Sequence, residues 1–122
     1  MDLFAGFDVS TQSCKLVVID PGRGEVVHDD TVSYDRDLPH YDTDHGAVRG
    51  LGTGVSESDP RMWTEAIEVL LGRLRQSACD PGAVRCISIS GQMHGLVALD
   101  AGGGLARPRA KLWTDVSTHD QA

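Results

Sequence analysis

The chain has 122 residues, 40% of them apolar, which is enough to bury one compact core and predicts a single domain. Its formal charge of −7 argues against nucleic acid as a partner, because such binding depends on Lys and Arg side chains that neutralise phosphates. The apolar runs are too short for a membrane span, no basic signal-peptide start occurs, and the three cysteines show no disulfide spacing, so we expect a cytoplasmic protein that binds no membrane.

Three consecutive β-strands are predicted at the start of the chain, at residues 3–7, 15–19 and 25–34. Each is a short apolar or β-branched run, and the turn signal Asp20-Pro21-Gly22 separates the second from the third. The first connection is polar and longer than a hairpin requires. We expect the three strands to pair antiparallel to one another.

Residues 35–58 form a long polar stretch that contains several glycines and almost no apolar periodicity. We predict a long loop or insertion here, and loops of this length in compact domains are usually functional or disordered. A helix is predicted to follow, because Asp59 and Pro60 are a typical N-cap and first helical residue. Apolar residues then recur at helical spacing until about Gln76.

Two further strands are predicted after the helix, at residues 84–90 and 96–99, and residues 111–115 begin one more element. The glycine-flanked segment SGQMHG at 90–95 separates these two strands. The predicted order is therefore β-β-β-α-β-β. This order indicates an α/β fold in which an antiparallel meander leads into a mixed sheet.

The first candidate site is the connection DVSTQS at residues 8–13. An acid at a strand end, followed by small hydroxyl residues, offers backbone N–H and side-chain OH groups to a phosphate, and Asp8 could hold a magnesium ion through water. A polar hairpin turn in which Asp8 bonds only the local backbone has the same composition. No Walker A sequence and no G-x-G-x-x-G helix start occur, so ATP binding here would use another architecture.

Two further segments carry side chains suited to a small polar ligand. In SGQMHG, glycines flank Gln92 and His94 at a strand end, where open α/β sheets present polar groups to a cleft. The alternative is a histidine that is satisfied within a turn. In WTDVST, residues 113–118, Trp113 could stack on a sugar ring and Asp115 could accept hydroxyl protons. The alternative there is a core tryptophan followed by a helix cap.

Four segments in this order resemble the FGGY carbohydrate kinases over essentially the whole chain: GFDVSTQSCKLVVID (6–20), YDRDLP (34–39), SGQMHG (90–95) and WTDVST (113–118). Within that family the resemblance is strongest to the branch that phosphorylates xylulose. Ser10 departs from the glycine that most of the family has, and its side chain could narrow the approach of a phosphate. The xylulose branch shares this variation.

The resemblance implies the N-terminal part of an actin-like, ribonuclease-H-like ATPase domain. Residues 1–122 would then be a partial FGGY kinase N-terminal domain, without the rest of that domain and without the C-terminal domain. ATP and Mg²⁺ are the implied cofactors. The residues implied at the ATP phosphates are Asp8, Ser10, Thr11 and Gln12, with Asp8 also at the metal. The residues implied at the sugar are Gln92, Met93, His94, Trp113 and Asp115.

The reaction implied is transfer of the γ-phosphoryl group of ATP to a terminal hydroxyl of a ketopentose, D-xylulose. The resemblance places the aspartate that deprotonates the sugar, and the adenine site, beyond residue 122, so we expect the isolated chain to be inactive. Another sugar or polyol of the same family (ribulose, gluconate or glycerol) is an alternative substrate. A non-catalytic sugar- or phosphate-binding remnant is the alternative outside enzymes. The resemblance also allows a homodimer of the full-length protein.

Overall fold

A four-stranded mixed sheet forms the centre of the fold in the computed structural model, which describes residues 1–121. Its strands lie in the order β3 (Glu25–Ser33), β2 (Ser13–Asp20), β1 (Leu3–Val9) and β7 (Val84–Gly91), with β1 antiparallel to β2 and parallel to β7. The other strands are β4 (Thr43–Asp44), β5 (Ala47–Val48), β6 (Glu57–Ser58) and β8 (Ala110–Lys111). The helices are α1 (Tyr34–Asp37) and α2 (Pro60–Gln76), with single 3₁₀ turns at Pro39–Tyr41, Pro81–Ala83 and His119–Gln121.

The core lies between one face of this sheet and helix α2. Alternate residues of β1 and β2 point to this face, as the two-residue period of a strand requires, and Leu16 and Val18 are fully buried there. Helix α2 covers them with a stripe at helical spacing that includes Met62, Ala66 and Leu70. Truncating a buried leucine of this kind to alanine typically costs about 2–5 kcal/mol, so the stripe contributes much of the stability.

Helix α2 begins and ends where the sequence predicts. The Asp59 side chain accepts a hydrogen bond from the backbone N–H of Arg61 at 2.9 Å, and Pro60 occupies the first helical position. At the other end, the Ser77 hydroxyl donates to the carbonyl of Leu74 at 2.7 Å. The predicted antiparallel meander of β1, β2 and β3 is also confirmed.

The segment 35–58, for which the sequence predicts a long loop or insertion, is built from short elements. The segment contains α1, a 3₁₀ turn, the small β4–β5 hairpin and β6. The carboxylate of Asp35 organises it by accepting hydrogen bonds from the Thr43 hydroxyl and from the backbone N–H groups of His45 and Gly46, at 2.6, 2.8 and 3.1 Å. One side chain thus replaces the backbone pairing that a longer strand would supply, and this leaves no periodic apolar pattern in the sequence.

The predicted strand at 96–99 is not formed. Leu96 and Leu99 each make a single isolated bridge, to Lys111 and Leu105. Neither partner belongs to the central sheet, so this apolar run lies outside that sheet. Within residues 1–121, no helix is both long enough and apolar enough to span a lipid bilayer.

Candidate active site

An open cleft of about 340 Å³ lies at the carboxyl ends of β1 and β7. These two strands are parallel, so their carboxyl ends meet at the same edge of the sheet, with Asp8 beside Ser90 and Val9 beside Gly91. The side chains and backbone from three separate segments line it: Asp8, Ser10, Thr11, Gly91, Gln92, Met93, His94 and Trp113. The three candidate segments of the sequence therefore converge on one site.

Asp8 presents an exposed carboxylate at the floor of this cleft. The Ser90 hydroxyl donates to Oδ1 at 3.1 Å, while Oδ2 receives no hydrogen bond from the described residues. In the described part of the chain, no group of three His, Cys, Asp or Glu side chains is placed to hold a metal ion. A cation here would therefore depend on Asp8, water and the oxygens of a bound ligand, which is the usual coordination of Mg²⁺ at a phosphate site.

The turn at residues 10–12 is held from below by Tyr34. The Tyr34 hydroxyl donates to the Ser10 carbonyl at 3.0 Å, and its backbone N–H donates to the Gln12 carbonyl at 3.1 Å. Tyr34 is fully buried, and this burial raises the pKa of its hydroxyl above the usual value, which keeps it neutral and able to donate. The backbone N–H groups of Thr11 and Gln12 have no acceptor among residues 1–121, so they remain available to an anion.

A chain of hydrogen bonds joins the two sides of the cleft through Thr11. The indole Nε1–H of Trp113 donates to the Thr11 hydroxyl oxygen at 3.0 Å. The Thr11 hydroxyl in turn donates to Oε1 of Gln92 at 3.4 Å. The Gln92 amide nitrogen Nε2 is buried and has no hydrogen-bond partner within the described residues. A buried unpaired donor that belongs to a cleft-lining side chain is a favourable position for a ligand oxygen.

His94 adopts the left-handed backbone conformation, with φ of 62°. This conformation is uncommon for a residue with a side chain, and such residues concentrate at functional sites. Its neighbour Met93 is 69% exposed, so neither side chain serves the core. Two residues after His94, the backbone of Leu96 exchanges hydrogen bonds with the backbone of Lys111 at 2.9 and 3.2 Å. This bridge holds the His94 segment alongside the segment that carries Trp113.

Gln12 and Asp115 are not among the residues that line the cleft. The Asp115 side chain is only 5% exposed and accepts hydrogen bonds from the Ser117 hydroxyl at 2.6 Å and from the Ser56 backbone N–H at 2.9 Å. These hydrogen bonds, and a weaker one from Lys111, lower the pKa of Asp115 well below its usual range. A direct sugar contact by Asp115 stays a prediction. In the structure its carboxylate is bonded to Ser56, Lys111 and Ser117 and does not line the cleft.

A buried charge cluster anchors the segment that carries Trp113. Glu57 is 2% exposed, and its carboxylate receives hydrogen bonds from Arg107, from Arg109 at 3.0 Å and from Lys111 at 3.2 Å. Burial alone raises the pKa of Glu57, but these donors outweigh it, and the net pKa lies below the usual value. The ionised carboxylate therefore fixes the strand β8, two residues before Trp113.

Two residues that position the site were not predicted from the sequence. Tyr34 ends a strand in the prediction, and no sequence pattern shows that its hydroxyl reaches back to Ser10 across 24 positions. Gly46 was one of several glycines in a polar stretch, although it packs directly against the backbone of Thr11. A positive-φ glycine pressed against another backbone has no signature in a single sequence.

Comparison with known proteins identifies the family of this chain. Residues 3–122 match the N-terminal domain of the FGGY family of carbohydrate kinases. Xylulose kinase from Streptomyces coelicolor is 41% identical over 120 residues, covering 98% of this chain and 21% of that protein. Xylulose kinase from an Arthrobacter species is 38% identical over 115 residues, covering 94% of this chain and 96% of that sequence. The solved structure of a xyloylose kinase from Brucella ovis aligns with a TM-score of 0.79 at 28% identity, covering 98% of this chain and 22% of that one.

The chain thus spans about a fifth of the length of the Streptomyces coelicolor and Brucella ovis proteins. The structural match extends over nearly all of this chain and confirms the predicted actin-like α/β fold. The chain belongs to the FGGY family of carbohydrate kinases, whose N-terminal domain it matches over residues 3–122.

Proposed function

We propose that this chain supplies the phosphate- and sugar-contacting part of an ATP-dependent kinase that phosphorylates a ketopentose, D-xylulose, at a terminal hydroxyl. The observation that carries the proposal is one cleft with two chemically different sides. One side offers the carboxylate of Asp8 and the unused backbone N–H of Thr11, and the other offers Gln92, His94 and the Trp113 ring. A phosphate and a polyhydroxyl ligand can therefore be held side by side.

On the phosphate side, the backbone N–H of Thr11 and the hydroxyl of Ser10 would donate to the phosphate oxygens, and the N–H of Gln12 follows in the same turn. Such a small concavity of backbone donors binds anions without a helix. Asp8 has one carboxylate oxygen free of protein donors, and this fits a Mg²⁺ ion that keeps most of its water and bridges to the phosphates. Mg²⁺ would neutralise the charge that develops on the transferred phosphoryl group.

On the sugar side, the buried Nε2 of Gln92 and the ring of His94 would bond sugar hydroxyls. Trp113 is 55% exposed and presents an apolar ring next to them, on which the carbon face of a sugar can pack. Met93 also lines the cleft. We assign Asp115 to positioning Trp113, because its carboxylate is occupied by Ser56, Ser117 and Lys111.

Phosphoryl transfer is mainly positioning and charge stabilisation, and it needs a base near the attacking hydroxyl. Among the described residues, Asp8 is the one carboxylate that lines the cleft, and the proposal commits it to the metal. The base is therefore expected from a residue beyond 122, as the family resemblance implies. The cysteines at 14, 79 and 86 are free thiols, which fits the reducing cytoplasm as the place of the reaction.

The test is a kinase assay on the full-length protein with ATP and Mg²⁺, in which ADP release is followed with D-xylulose, D-ribulose, gluconate and glycerol. The expected result is the highest kcat/KM with D-xylulose. A clear preference for another of these acceptors would support the kinase activity and contradict D-xylulose as its substrate. Binding of D-xylulose without turnover of any acceptor would favour the non-catalytic module.

In the same assay, Asp8→Asn is expected to lower kcat by about a hundredfold or more, because one well-placed charge in such a site contributes roughly 3 kcal/mol. The control is Asp29→Asn, which changes an exposed aspartate on β3, paired at 3.7 Å with Lys15 and away from the cleft. Near-normal kcat for Asp8→Asn, equal to that of the control, would show that Asp8 serves only the structure of the turn.

A further inference from the structure

Gly46, at the tip of the β4–β5 hairpin, is pressed against the back of the phosphate-side turn. It is buried and has a φ of 82°. A methyl group on its Cα would lie 1.8 Å from the carbonyl oxygen of Thr11, 2.9 Å from its carbonyl carbon and 3.3 Å from the Cα of Gln12. These neighbours are backbone atoms, so they cannot rotate away as a side chain would. Any residue other than glycine must therefore displace either the hairpin or the turn.

The hairpin is anchored, so it cannot absorb the whole displacement and the turn must shift as well. The backbone N–H of Gly46 donates to Asp35 at 3.1 Å, and its carbonyl accepts from the buried hydroxyl of Ser58. Asp35 also binds the N–H of His45 and the hydroxyl of Thr43. Burial raises the pKa of Asp35, but these three hydrogen bonds lower it overall, so the carboxylate is ionised and its bonds to the hairpin are charge-assisted.

We propose that Gly46 is a positioning residue for phosphoryl transfer: through its contact with the Thr11 carbonyl it sets the position of the turn that carries the N–H groups of Thr11 and Gln12, of which Thr11 lines the cleft. This inference rests on the proposed function of that turn as the phosphate-binding element. Thr11 also receives the Trp113 indole N–H, so a shift of the turn reaches the opposite wall.

The variant is Gly46→Ala, and the chain offers a matched control in Gly50→Ala. Gly50 lies in the same connecting segment and has a φ of 75°, so alanine carries the same left-handed backbone penalty there. A methyl group at Gly50, however, meets no atom within 4 Å. Comparison of the two variants therefore separates displacement of the turn from loss of glycine in a left-handed position.

The experiment combines kinetics of the full-length protein with amide spectra of this chain. Gly46→Ala is expected to lower kcat/KM for ATP roughly tenfold to a hundredfold, because a displacement of about 1 Å can have that effect, while KM for D-xylulose changes less. Gly50→Ala should leave both near wild type. In a ¹⁵N–¹H correlation spectrum, Gly46→Ala and not Gly50→Ala should shift the Thr11, Gln12 and Trp113 indole N–H signals.

A folded Gly46→Ala protein with the same kinetics and the same three signals as Gly50→Ala would overturn the proposal. A Gly46→Ala spectrum without dispersion would mean that this variant does not fold. Ser58→Ala is then the deciding variant, because it removes the hydrogen bond to the Gly46 carbonyl without adding a group. A raised KM for ATP in Ser58→Ala supports the proposal, and an unchanged KM overturns it. If the wild type phosphorylates no acceptor, the proposed function fails, while the spectra still show whether Gly46 sets the turn.

Discussion

The hydroxyl of Thr11 is engaged on both sides, since its oxygen accepts from Trp113 and its hydrogen is directed to Gln92. It therefore has little capacity left for a phosphate, and the donors of the turn are its backbone N–H groups. The same hydroxyl ties the position of the Trp113 ring to the turn. At this scale the phosphate side and the sugar side of the cleft are one hydrogen-bonded unit.

His94 is the residue on which sugar recognition is most directly testable. Its exposed ring lies in the cleft, and a buried hydroxyl partner left unpaired costs about 1–3 kcal/mol. In the full-length protein, His94→Ala is expected to raise KM for the sugar roughly tenfold to a hundredfold while barely changing KM for ATP. The measurement is KM for both substrates, together with the melting temperature.

The matched control is His45→Ala. His45 is also a histidine with a left-handed backbone, with φ of 52°, and its side chain is exposed outside the cleft. The change therefore carries the same backbone strain without touching the ligand. Equal losses for both substrates in His94→Ala, with a large drop in melting temperature, would instead indicate a structural histidine.

The sequence predicted most of the cleft because its chemistry is local. Asp8, Gln92, His94 and Trp113 lie in short segments in which a strand end or a glycine pair marks an exposed polar group. The sequence alone does not distinguish residues that line the cleft from residues that hold those lining residues in place. Asp115 belongs to the same motif as Trp113, but only the fold shows that its carboxylate turns away to meet the Ser56 N–H.

At the scale of elements, the segments with clear periodicity were predicted and those held by side chains were not. Helix α2 and strands β1, β2 and β3 carry apolar residues at the spacing of their own secondary structure. The β4–β5 hairpin instead depends on the Asp35 carboxylate, and β6 pairs with β8 beside the Glu57 cluster. Partners that are about fifty residues apart in sequence leave no local pattern.

The Glu57 cluster is expected to stabilise the fold in a pH-dependent way. Glu57→Gln removes the charge that Arg107, Arg109 and Lys111 share, and loss of hydrogen bonds to a buried charged group costs about 1–3 kcal/mol at pH 7. The side chains of these three cations are 35–41% exposed, so water can solvate them when the Glu57 charge is removed. This solvation keeps the cost within this range. Urea unfolding of the two proteins measures the difference.

The direction of the pH effect follows from the lowered pKa of Glu57. The unfolded carboxyl has its usual pKa of 4.5 and the folded one a lower value, so the contribution is complete above pH 4.5 and is lost as the pH falls through the folded pKa. The stability difference between wild type and Glu57→Gln should therefore shrink below about pH 4.5. Glu68→Gln, at an exposed position on α2, is the control. A difference that stays constant down to pH 3 would contradict the assigned role.

At the scale of the molecule, the sheet has one covered face and one open one. Helix α2 covers part of one face, while Ile19 and Val26 lie exposed on the other, and Ile87 and Ile89 of the edge strand β7 are 52% and 60% exposed. The cleft is likewise open to solvent between its two sides. Both features fit a chain that matches about a fifth of the length of its relatives. The predicted homodimer of the full-length protein stays a prediction.

The 122-residue chain is therefore expected to be catalytically silent. Phosphoryl transfer requires the metal, the nucleotide and a base at the attacking hydroxyl to be assembled together. The described cleft has one carboxylate, Asp8, and it is open to solvent, so water competes for every hydrogen bond that would orient a substrate. The measurement is ADP release from ATP and Mg²⁺ with D-xylulose, in parallel with the full-length protein as the positive control. Turnover by the chain that exceeds a blank without protein, and that disappears in its Asp8→Asn variant, would contradict the prediction and would show that residues 1–122 contain a complete site.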